Sequence, residues 1–152
     1  MRPMTIDEYT TKPYRIVDIL PMQVSPDGRG QYFEVEKYYL KRISLLCKQY
    51  TDLLLKLNCY LDIEFSHDGD NWTRNPAPET FEYWVGSCLS AEPSESSLFI
   101  ALQSEETLMV IERDCTYMTI YNPSEELLAL INQLVCSAGL FLWTNPVSTK
   151  NK

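Results

Sequence analysis

The stretch that most constrains this chain runs from Ser97 to Gly139, where three strand-length apolar runs lead into one amphipathic helix. Ser97–Gln103 and Thr107–Arg113 flank a short polar break, Ser104–Glu106, which is the pattern of hairpin partners. Asp114 and Cys115 then precede Thr116–Tyr121, where Met118 and Ile120 alternate with Tyr117, Thr119 and Tyr121. Successive strand side chains point to opposite faces, so this strand is predicted to have one buried and one less buried face. Asn122-Pro123-Ser124-Glu125 has the chemistry of a helix start: an amide side chain to accept from free N–H groups, a proline that tolerates the first turn, and a glutamate three residues after the cap. The helix is therefore predicted from Pro123, with Leu127, Leu128, Ile131, Leu134, Val135 and Ala138 on its packed stripe and Gly139 as a left-handed stop.

Upstream, Thr5 and Glu8 have capping-box spacing, which predicts a short helix from Ile6 to about Thr11 within an N-terminal packing arm, residues 1–13. Tyr14–Leu20 reads as a strand by its β-branched content, and Pro21 ends it. Ser25–Gly30 reads as a plain turn, because its glycines have neither Walker nor dinucleotide-binding spacing. From Gln31 to Cys59, Tyr32, Tyr39, Ile43, Leu46, Tyr50, Leu53 and Leu57 step mainly by three and four, predicting one long helix, with room for a kink near its start. The stripe is too broad for a coiled-coil seam and favours packing on a sheet.

Leu61–Ser66 alternates cleanly, His67–Asn71 is a turn, and Trp72–Thr73 begins a returning strand. Thr80–Val85 also alternates, with Phe81, Tyr83 and Val85 on one side and Glu82 and Trp84 on the other, and is predicted as a strand weakened at Gly86. Ser90–Ser96 reads as a flexible acidic connection, Leu140–Trp143 as a last apolar piece docking on the core, and 144–152 as a frayed tail. The expected architecture is α+β: a mainly antiparallel sheet of about five strands, packed with a long N-terminal helix and a C-terminal amphipathic helix in a single domain over 1–152.

Composition narrows the function classes. No apolar run is long enough to span a bilayer and Met1–Glu8 lacks the apolar core of a signal peptide, so a soluble, cytoplasmic protein with no membrane partner is the expectation. Five cysteines with no close pair argue against a disulfide framework or a paired-cysteine zinc or redox site. The net charge of −8 argues against nucleic acid. That charge is uneven: residues 61–126 hold two Lys/Arg and fourteen Asp/Glu, a local −12, whereas the segments before and after are each +2.

No nucleophile, metal or phosphate-loop motif occurs, so no catalytic residue, metal site or cofactor is assigned. His67, Asp68 and Asp70 form the one turn that could hold a small ligand; its resemblance to the opening of a calcium loop fails because the sixth position is Thr73 rather than glycine. Alternation points instead to a sheet face carrying Asp62, Glu64, Glu82, Trp84, Tyr117, Thr119 and Tyr121. Large rings supply contact area and carboxylates steer a basic partner, so the expected function is non-enzymatic binding of a basic protein surface. In general composition the chain is like small acidic inhibitors and immunity proteins, an analogy without a shared motif. A structural homodimer through the same face is the second expectation, and a small-molecule enzyme using the His67 turn the third.

Overall fold

The computed structural model describes residues 4–25, 27, 30–90, 97–113 and 116–144. Among these residues, seven strands form one antiparallel sheet: β1 (Tyr14–Asp18), β2 (Glu64–Ser66), β3 (Thr73–Arg74), β4 (Leu98–Leu102), β5 (Thr107–Ile111), β6 (Met118–Tyr121) and β7 (Phe141–Trp143). Their order is β3-β2-β4-β5-β6-β1-β7. The helices are α1 (Ile6–Thr10), α2 (Tyr32–Lys41), α3 (Ile43–Asn58), α4 (Pro78–Leu89) and α5 (Glu125–Ser137).

One sheet face carries the main core. Val17, Phe65, Ile100, Met109, Met118 and Ile120 meet Leu46, Tyr50, Leu53 and Leu57 of α3, Phe81 and Val85 of α4, and Ile131 and Val135 of α5. Each fully buried side chain of this size contributes roughly 1.5–3 kcal/mol. On the opposite face, Tyr9 of α1 packs with Ala101, Leu108 and Val110, and Ile6 with them. This explains why β4 and β5 are apolar on both sides: helices cover both, but only across the middle of the sheet.

Local chemistry matches the expected ends in several places. Thr5 and Glu8 form the reciprocal capping box of α1. Gly139 has φ +76°, the left-handed conformation that ends α5. The α5 start differs: Ser124 is the cap, its hydroxyl accepting from Leu127 N–H at 3.1 Å, while Asn122 sits at φ +60° and donates to the Glu106 carbonyl at 2.9 Å. Asn122 therefore locks the β4–β5 turn to the β6 end instead of opening the helix.

Three further expectations are corrected. The sheet has seven strands rather than about five, because Thr73–Arg74 and Phe141–Trp143 each add an edge. The single long helix is two, broken at Arg42, whose φ −109° and ψ 50° are not helical. α3 lies on the core whereas α2 has no fully buried residue and meets the core through the half-buried Tyr39, so the break turns most of α2 off the packed face. Thr80–Val85 is not a strand but the middle of α4. Phe81, Val85, Cys88 and Leu89 are buried at helical spacing, Pro78 occupies the first turn, and Tyr83, expected inside, is 64% exposed.

Among the described residues, no helix is long and apolar enough to cross a membrane. Cys47, Cys59, Cys88 and Cys136 are free thiols. Residues 91–96 of the expected Ser90–Ser96 connection, 145–152 of the expected 144–152 tail, 1–3 of the N-terminal arm, 26, 28 and 29 of the Ser25–Gly30 turn, and Asp114 and Cys115 lie outside the described residues.

Candidate functional site

The expected binding face divides into three places. Asp62 forms an ion pair with Arg74 and accepts from Asn75 Nδ2 at 2.8 Å; those hydrogen bonds, Asn75 first, hold its carboxyl below the usual range. Glu64 lies on the sheet face away from the main core and accepts from Gln103 Nε2 at 3.2 Å. Glu82 and Trp84 are on α4 rather than on the sheet. Glu82 is exposed, and Trp84 stacks on His67 with ring centroids 3.8 Å apart and planes 4° from parallel.

The His67 turn is built around Asp68. Its Oδ1 accepts from Asp70 N–H at 2.9 Å and Asn71 N–H at 2.8 Å, and its Oδ2 accepts from Asn71 Nδ2 at 2.7 Å. These bonds, led by the Asn71 amide, push its pKa well below the carboxylate range. The carboxylate is thus engaged in shaping the turn. Among the described residues, no group of three or more His, Cys, Asp or Glu is placed to hold a metal ion.

Tyr117, Thr119 and Tyr121 have a different setting. Register places Tyr14 of β1 opposite Tyr121 and Ile16 opposite Thr119, while Ile16 also faces Trp143 of β7. These residues share the sheet face away from the main core, and α1 does not reach them all. Gln23, Val24, Ser25 and Gly30, which follow β1, line this end of the sheet together with those residues and bound a cleft of about 590 Å³. Tyr14 and Tyr121 pair with ring centroids 5.8 Å apart, and Tyr32 and Phe33, at the start of α2, form another wall. The cleft carries two carboxylates, Asp18 and Glu112, and none of its described lining residues is Lys or Arg.

Asp18 is the unusual member, being only 6% exposed. Its Oδ1 accepts from Ile19 N–H at 2.7 Å, yet burial outweighs this and raises its pKa above 3.8, with Glu36 adding repulsion. Tyr32 donates to Glu36 Oε2 at 2.8 Å, and burial together with Glu36 and Asp18 pushes the phenol up to about 12. Among the described residues, Trp143 Nε1 is buried with no well-aligned hydrogen bond, although the indole lies near enough to Asp18 to favour its ionised form. Among the described residues, the cleft thus holds a buried carboxylate with no cation beside a buried indole N–H that is near it but makes no well-aligned hydrogen bond.

No family model matches this chain, and no curated protein or solved structure matches it.

Glu64 does not belong to the cleft. Glu64, Ala101, Leu108, Tyr121 and Tyr14 form one row across the sheet, and α1 packs on Ala101 and Leu108 in the middle of it. Sequence reasoning selected Tyr117, Thr119 and Tyr121 but missed Asp18, Tyr14, Tyr32, Glu112 and Trp143. The alternation of Tyr14, Ile16 and Asp18 within the first strand is the signal that could have found two of them.

Proposed function

We propose that this chain is a non-enzymatic binding module that engages a basic protein surface through the cleft over β1, β6 and β7. The observation that carries this reading is the convergence of Tyr117, Thr119 and Tyr121 with Asp18 and Glu112 in one concavity, on a chain of net charge −8. Aromatic walls supply contact area, and carboxylates steer a cationic partner and disfavour an anionic one. The homodimer through the same face has less support, because α1 already covers the middle of that face. The His67 turn has less support as a reaction centre, because Asp68 is occupied with backbone amides.

The test is capture of partners from the native lysate at low and high salt, with wild-type protein, Glu112→Lys and Glu82→Lys. The expected result is a basic protein released by salt, held by wild type and Glu82→Lys but lost with Glu112→Lys. Equal capture by all three variants contradicts the cleft as the docking surface.

A further inference from the structure

We infer that the cleft is a seat for one lysine-like group, an alkylammonium on an apolar stem beside a carbonyl oxygen. This deepens the binding-module reading and rests on it for the source of that group, though not for its chemistry.

The carboxylate of Asp18 is nearly excluded from water, and among the described residues no lysine or arginine forms an ion pair with it or with Glu36. Burying an unpaired charge is unfavourable, and the cost is recovered when a cation enters the same low-dielectric space. The walls suit an ammonium as well as the floor does. Tyr14, Tyr32, Tyr121 and Trp143 line the same cleft, and aromatic faces attract a cation most strongly where water is displaced. Trp143 Nε1 adds a second requirement that a bare cation leaves unmet: among the described residues it lies near Asp18 without a well-aligned hydrogen bond, and once Asp18 engages an ammonium a peptide carbonyl beside the lysine stem supplies the acceptor. At about 590 Å³ the cleft has room for such a side chain with its flanking backbone.

The experiment is a nuclear magnetic resonance titration of the intact protein with Nα-acetyl-lysine methylamide and with its norleucine twin, which keeps the stem and carbonyls but lacks the ammonium. The expected result is that the lysine compound binds about tenfold or more tightly than the norleucine compound. Its largest indole N–H shift should fall on Trp143 rather than Trp72 or Trp84. Equal affinity of the twins, or a shift centred on Trp84, overturns the proposal. A parallel titration with phenethylammonium separates the sources: tighter binding of the lysine compound favours a lysine on a partner protein, and tighter binding of phenethylammonium favours a free amine and overturns the carbonyl requirement. Lysine-selective binding here, combined with partner capture insensitive to Glu112→Lys, leaves this seat standing while removing the docking surface.

Discussion

The hydroxyl of Tyr50, in the middle of α3, lies 2.6 Å from the carbonyl oxygen of Thr116 and donates to it. Tyr50 is fully buried, so this bond ties the core helix to the approach into β6. Replacing Tyr50 with Phe keeps the packing and strips a buried carbonyl of this donor. The expected loss is about 1–2 kcal/mol, read as a lower urea midpoint with unchanged slope. An unchanged midpoint contradicts the role given to this bond.

Gly86 tests the helical assignment of α4. A Cβ there would meet only Cys47 Sγ, at 3.5 Å, an ordinary contact. Gly86→Ala should therefore stabilise the protein by about 0.5–1 kcal/mol through helix propensity. Thermal unfolding reads this as a higher midpoint; a lowered one would mean that the segment is not a regular helix or that α4 and α3 pack more tightly than described.

Much of the fold was legible wherever a residue's partner is close in sequence. The Thr5–Glu8 capping box, the turn through Gly69 at φ +84° and the Gly139 stop all depend on chemistry within a few positions. The failures share a different cause. Phe81, Tyr83 and Val85 fit a period of two as well as Phe81, Val85 and Cys88 fit a helix, and the core that decides between them comes from α3 and β4. The break at Arg42 is similarly silent, because Tyr39 and Tyr32 continue the α3 stripe in sequence although α2 buries none of its residues fully and Tyr39 is only half-buried against the core. The cleft was half legible. Alternation from Tyr117 into β6 marked Tyr117, Thr119 and Tyr121 as candidates, but β7 joins β1 across more than a hundred residues, and only that pairing brings Trp143 over Ile16.

Asp68 and Asp18 should make opposite contributions to stability as pH changes. The Asp68 pKa is depressed on folding, so its contribution is present above the unfolded value, 3.8, and is lost as pH falls through the folded value. Asp68→Ala should accordingly be less stable than wild type near neutrality, and the gap should close in strong acid. An urea midpoint series against pH, with both proteins, checks this; a gap constant with pH contradicts it.

For Asp18 the sign reverses. Its folded pKa is raised, so the folded state binds the proton more tightly than the unfolded chain does. The ionised carboxylate, facing Glu36 and Tyr32, then disfavours folding above the folded pKa, and acidification towards 3.8 relieves this. Asp18→Asn keeps an oxygen for the Ile19 amide and removes the charge. It should be more stable than wild type at neutral pH, with the difference vanishing in acid.

That variant also offers the most direct measurement on the cleft: the unfolding free energy of Asp18→Asn at neutral pH, set beside its affinity for Nα-acetyl-lysine methylamide. The account predicts a more stable protein that binds about tenfold or more weakly than wild type, a buried charge retained for its ligand. A variant that binds the lysine compound as well as wild type, whatever its stability, would contradict it.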